Sequence, residues 1–173
     1  MWFRKREDTT LADDAVLALG LLGMAFMGYL SYLHFKTTPG SSFCNFGAHF
    51  SCEIVNKSVY AELFGVPLAF MGLAYFGAVA ALAVSAAPWR HRAILLFSVF
   101  SLVFSLRLSF LEFFVLGAIC LFCEASKLVM LAIIGLTARS IVRAKDRLPL
   151  GGIAAALLAG LVFTAAARYF QAG

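Results

Sequence analysis

The chain has 173 residues, 62% hydrophobic and 13% charged, with a formal net charge of +5. A soluble domain carries about 25% charged residues, so this composition excludes an ordinary soluble globular protein and indicates an integral membrane protein. The positive balance is not a nucleic-acid footprint, because Lys and Arg fall in short clusters between apolar runs, as in a membrane topology signal.

Five apolar segments follow in chain order. The first, Ala15 to Leu33, is uncharged and is preceded by Arg4-Lys5-Arg6. It exceeds the roughly 7–15 residues of a signal-peptide core and has no small-residue cleavage site after it, so it reads as an uncleaved anchor. The second runs from Leu63 to Pro88 and is also uncharged. The third, Ala93 to about Leu116, holds Arg107 and Glu112; the fourth, about Ala118 to Ala138, holds Glu124 and Lys127. The fifth runs from Leu150 to Ala167. Each is near the roughly 18–20 residues a helix needs to cross the hydrocarbon core, so the expected fold is an all-α integral membrane protein with five spans. No internal repeat is visible.

Basic residues set the expected orientation. With five spans, the N-terminal side carries Arg4, Lys5, Arg6, Arg90, Arg92, Arg139, Arg143, Lys145 and Arg147, against Lys36, Lys57 and Arg168 on the other side. The N-terminus is therefore expected in the cytoplasm and the C-terminus outside. Cys44 and Cys52, in the loop after the first span, and Cys120 and Cys123, at the start of the fourth, all fall on the outer, oxidising face. Disulfides persist in such compartments and are rare in cytosol.

Four cysteines allow three pairings. The local one is geometrically easy, because residues three apart on a helix have Cβ atoms about 5–6 Å apart. At a helix N-terminus Cys120 gains thiolate stabilisation from unpaired N–H groups and the helix dipole, which suits disulfide exchange. Cys123 lies deeper, where a lipid-soluble molecule can reach it. Two pairs on one face suggest a relay through a mixed disulfide. The loop from His34 to Asn56, with Pro39-Gly40-Ser41-Ser42 and Gly47, is expected to flex and bring a loop cysteine to Cys120. Two alternatives stand beside the relay. One is a scaffold stapled by static disulfides. The other is a zinc site on Cys44, His49 and Cys52, disfavoured because structural zinc sites use tight C-x₂₋₄-C spacing.

The pattern Cys44-x₇-Cys52, followed by Cys52-Glu-Ile-Val-Asn-Lys-Ser58-Val-Tyr-Ala-Glu-Leu-Phe-Gly-Val-Pro67, then Leu111-Glu112 and Ala118-Ile-Cys-Leu-Phe-Cys123, resembles the vitamin K epoxide reductase family, its bacterial members above all. The resemblance covers roughly residues 15–140. It implies a four-helix bundle around a quinone (menaquinone, ubiquinone or phylloquinone), with the fifth transmembrane helix added. It divides the chain into a catalytic domain at 1–142 and a cytoplasmic linker with the fifth helix at 143–173. It further implies that Cys44 takes electrons from a partner dithiol, Cys52 relays them to Cys120, and Cys123 faces the quinone. Ser58, on a short helix capping the pocket, Phe64, Gly65, Glu112 and Phe122 are the positions it assigns to the quinone.

Bacterial members often carry a fused thioredoxin-like domain. None follows the fifth segment here, so the resemblance implies a separate periplasmic thioredoxin-like or DsbA-like partner, with the chain in the inner membrane supporting disulfide formation. Lys127 stands four residues after Cys123, where animal members carry a tyrosine. Quinone-epoxide reduction remains the alternative activity. A DsbB-like fold is rejected, because there the C-x-x-C comes in the first outer loop.

The four charges inside the third and fourth segments are costly in lipid. At about 1.5 Å per residue, Arg107, Glu124 and Lys127 lie roughly 14, 11 and 15 Å from the outer turn. Matched depth predicts an Arg107–Glu124 contact, with Lys127 on the face of Glu124. Glu112 is expected to snorkel at the interface.

Overall fold

A computed structural model describes residues 2–36, 44–45 and 49–171; for 2–10 and 169–171 it describes the backbone alone. The flexing elements expected at Pro39–Ser42 and Gly47 lie outside the described residues.

The chain is an all-α membrane protein. Helix α1 spans Trp2–Phe35, α2 Cys52–Asn56, α3 Leu68–Val84, α4 Arg90–Leu111, α5 Leu121–Arg143 and α6 Leu150–Gln171. Four stretches, in α1, α4 with its extension, α5 and α6, are long and apolar enough to cross a membrane. The second apolar segment yields the shorter α3, of 17 residues, about 25 Å at the α-helical rise. Residues 63–67 leave the helix for a two-stranded hairpin, Glu62–Leu63 with Val66–Pro67. Its turn residues Phe64 and Gly65 have φ of 55° and 75°, the paired positive values of a tight hairpin turn.

Helices α1, α3, α4 and α5 close a ring, each touching its two neighbours, and α6 packs outside against α4. Small residues allow the closest approaches. A Cβ at Gly20 would meet Ala80, and one at Gly23 would fall inside the ring of Phe76. Gly160 sits against Val103 and the Phe100 carbonyl, which seats α6 on α4. In lipid no hydrophobic force separates one apolar helix face from another, so close packing of this kind drives association. Phe76, Val79 and Ile133 are fully buried at the bundle centre, and Tyr75 donates to Ser98 at 2.7 Å across α3 and α4.

One end of the bundle is held by charge. Asp13 of α1 pairs with Arg90, and with His91 at 2.8 Å. Arg90 also donates to the carbonyls of Ala83 and Ser85, closing the C-terminus of α3. Arg92 pairs with Asp146 at 2.6 Å. The basic clusters of the α3–α4 and α5–α6 connections therefore share an end with the start of the apolar part of α1, as their sidedness in sequence requires. The cysteines lie toward the opposite end.

The two glycines Gly23 and Gly28 separate packing from propensity. Gly23→Ala is expected to lower stability by about 1–3 kcal/mol through overpacking against Phe76. Gly28→Ala, with nothing within 4 Å of the new Cβ, is expected to be neutral or to stabilise by up to about 1 kcal/mol. Thermal unfolding in detergent distinguishes them, and equal shifts would contradict the α1–α3 contact.

Candidate functional site

The site begins with a short backbone pairing. Ile119, in the turn between α4 and α5, donates its N–H to the His49 carbonyl at 2.8 Å and accepts from the Ser51 N–H at 3.1 Å. This pins the end of the first loop to the α4–α5 turn. Cys52 follows Ser51 and Cys120 follows Ile119, so the pairing sets the two cysteine pairs side by side.

Each pair is closed locally, Cys44 with Cys52 and Cys120 with Cys123. Their Cα atoms are 5.6 and 5.2 Å apart, within the usual disulfide range. Cys44, Cys52 and Cys120 are at most 1% exposed, whereas Cys123 is partly open and lines a cavity. Cys120 is the N-cap of α5, and its sulfur accepts from the Cys123 N–H at 3.2 Å. The preceding Gly117 has φ of 62°, the left-handed conformation that commonly ends a helix.

Ser51 caps α2 by accepting from the Ile54 N–H at 3.2 Å. Beyond α2, Asn56 donates to the Leu30 carbonyl at 2.6 Å, and the His34 ring meets the Asn56 carbonyl at 2.8 Å. These bonds lay α2 and the following 3₁₀ turn, Val59–Ala61, across the end of α1. Val55, Asn56 and Ser58 thereby become one wall of the cavity.

The cavity has a volume of about 390 Å³, within the common range for small-molecule sites. Its walls are mostly apolar, with Leu30, Tyr75, Phe97, Phe104 and Met130 among them, and Phe163 of α6 contributes as well. At the Cys123 end it presents Glu112, Ser126 and Lys127. A planar, apolar ring with two carbonyl oxygens fits such a space: greasy walls for the ring, a few polar groups for its oxygens.

Behind Cys123 lies a buried charge cluster. Lys127 is 4% exposed; its Nζ contacts Ser109 Oγ at 2.5 Å, Glu124 Oε1 at 2.6 Å and Glu112 Oε1 at 3.9 Å. Glu112 opens one π-helical turn, Glu112–Leu116, at the end of α4. π-turns often mark functional sites. The Glu112 carboxylate is 1% exposed and accepts the Cys120 N–H at 2.8 Å through Oε2.

Four sequence expectations change here. Glu112 does not snorkel: it is drawn inward by the Cys120 amide and Lys127. The expected Arg107–Glu124 contact gives way to Glu124 with Lys127, its i,i+3 neighbour on α5, and with Ser109, which α4 turns toward it. Phe64 and Gly65 do not line the cavity. They form the hairpin tip, with Phe64 68% exposed, while Leu63 turns inward at 2%. Phe122 also faces elsewhere, its ring 5.3 Å from Phe26 and 5.2 Å from Tyr29 of α1. One residue along a helix is a rotation of about 100°, so Phe122 and Cys123 address different neighbours. Ser58, Glu112 and Cys123 do line the cavity.

Sequence reasoning passed over Ser101, Ser105 and Ser109. The first two line the cavity and the third holds Lys127. Their signal was present: Ser98, Ser101, Ser105 and Ser109 recur at helical spacing as one polar stripe through an apolar segment.

Lys127→Met would leave the buried Glu112 and the partly exposed Glu124 without their cation. It is expected to destabilise by about 3–5 kcal/mol, and adding Glu124→Gln should recover part of this. An unchanged melting temperature for the single variant would show that the cluster is not a coupled ionic unit.

A model of the vitamin K epoxide reductase family matches residues 15–138. Comparison with curated proteins gave no match.

Proposed function

The chain belongs to the vitamin K epoxide reductase family, and we propose that it oxidises a periplasmic thioredoxin-like or DsbA-like dithiol and passes the electrons to a membrane quinone. Family membership makes it a membrane oxidoreductase; the partner, the acceptor and the sidedness are this reading's own. The observation that carries it is the position of Cys123, joined to Cys120 and at the same time a wall of an apolar cavity.

The chain's residues divide the work. A partner thiolate attacks Cys44 and releases Cys52, and the partner's second thiol then leaves Cys44 and Cys52 reduced. Because Cys44 is buried, this attack requires Cys44 to become accessible to the partner. Cys52, beside Cys120, attacks the Cys120 sulfur and releases Cys123, and Cys44 resolves the mixed disulfide. Each exchange breaks one S–S bond and forms one. The result is a Cys120–Cys123 dithiol, with the Cys123 sulfur on the cavity wall. A bound quinone would supply an acceptor for two electrons and two protons. Ser58, Glu112, Ser126 and Lys127 would surround it, and the aromatic walls would exclude water.

Two measurements test this. Wild-type protein, given a reduced DsbA-like protein and a soluble quinone, is expected to bleach quinone absorbance, and Cys123→Ala is expected to abolish the bleaching. Failure of the wild type, with all four cysteines locked against the partner, would favour a stapled scaffold.

For sidedness, single cysteines are placed at the exposed Val59 and Trp89 in a background lacking the native four. An impermeant maleimide added outside intact cells is expected to label Val59→Cys and spare Trp89→Cys. The reverse pattern would invert the topology.

A further inference from the structure

We propose that Glu112 is a further catalytic residue, the group that carries a proton between the Cys120–Cys123 pair and the acceptor in the cavity. The proposal rests on the quinone reading above.

The geometry is unusual for a structural carboxylate. Glu112 is 1% exposed. Oε2 is committed to the Cys120 amide at 2.8 Å. Oε1 is buried and has no hydrogen-bond partner among the described residues, with Lys127 Nζ 3.9 Å away. The residue also lines the cavity. One oxygen therefore touches the redox pair's backbone, while the other is unpartnered, in a residue that lines the space for the acceptor. A buried, unsatisfied oxygen is destabilising unless another group comes to it.

An anchor for the Cys120 amide needs only a carbonyl-type oxygen, and glutamine has one. Glutamine would also remove the need for a buried lysine. The chain instead keeps a carboxylate and a compensating ammonium in the span, an arrangement expensive in lipid. What a carboxyl has and an amide lacks is the ability to take up and release a proton at Oε1. Glu124 is not equivalent, because its side chain is 31% exposed and it does not line the cavity.

In the half-reaction the thiols of Cys120 and Cys123 lose two protons and two electrons and form one S–S bond. Both electrons pass to a quinone-class acceptor, and one proton arrives at each of its oxygens. Glu112 takes the proton from one thiol and delivers it from Oε1. The second passes by Lys127 Nζ, the other proton-bearing group at that wall. Lys127 balances the Glu112 charge whenever the carboxyl is empty.

The test uses the full chain in lipid nanodiscs. Redox-difference infrared spectra, disulfide form against dithiothreitol-reduced form, are recorded without any quinone. Wild type is expected to show a carboxyl C=O change that shifts in deuterated water and is missing in Glu112→Gln. A wild-type spectrum with no carboxyl change, which needs no variant to fold, overturns the proposal. So does a change that persists in Glu112→Gln.

Reoxidation of the reduced pair by a soluble quinone is then followed. Glu112→Gln, which keeps an acceptor for the Cys120 amide, is expected to slow it by about 10²-fold or more. A wild-type rate in Glu112→Gln, with loss only in Glu112→Ala, would make Glu112 a positioning residue and overturn the proposal alone. Wild type that is never reoxidised by quinone overturns the quinone reading, and this proposal with it.

Discussion

The site depends on two backbone hydrogen bonds. Ile119 pairs with His49 and Ser51, and no side chain is required for it. Cys52 opens α2 and Cys120 caps α5, and this pairing joins the two starts through the backbone. With it, two local disulfides become neighbours. The bonds also satisfy the backbone N–H of Ser51, a buried residue, and that of the half-buried Ile119. The segment is thus stabilised for reasons unrelated to chemistry, and the cysteines profit from the placement.

The rest of the site is arranged around that junction. On one side, Asn56 and His34 tie the short helical cap to α1. On the other, the π-turn and Gly117 end α4 so that Glu112 faces the Cys120 amide. The charge cluster then follows by necessity. A carboxylate drawn into a span needs a cation, and Lys127 supplies it from one turn beyond Cys123 on α5. Lys127 in turn needs more than one partner, and Ser109 and Glu124 complete its shell. The polar groups are linked in a chain, Glu112 to Lys127 by charge and Lys127 to Ser109 and Glu124 by hydrogen bonds.

The sixth helix adds a wall that the family match does not include, since that match ends at residue 138. Gly152 and Gly160 let α6 approach Leu96 and Val103 of α4, and Phe163 reaches the cavity with its ring tilted against Phe100 and edge-on to Phe104. The fifth apolar segment is therefore part of the bundle's packing.

Much of this was legible in the sequence. Composition and run length sufficed for a helical membrane protein, because water and lipid sort residues by transfer free energy with little regard to neighbours. Cysteine spacing made a Cys120–Cys123 pair geometrically easy, because three residues on a helix fix a distance, while Cys44 and Cys52, eight residues apart, are joined only in the tertiary structure. The serine stripe on α4 and the N-cap at Cys120 were also legible, being periodic or local. The tertiary structure alone decided which groups meet across elements. Depth along two helices suggested Arg107 with Glu124, but rotation about each axis chose Lys127 and Ser109 instead. Phe64 and Phe122 lie in the motif yet turn from the cavity, one by hairpin register and one by helical phase. Glu112 looked like an interfacial carboxylate until the α4–α5 turn brought an amide to it. Hydrophobic pattern encodes how far a residue lies along its element; which neighbour it faces depends on how the elements are rotated against each other.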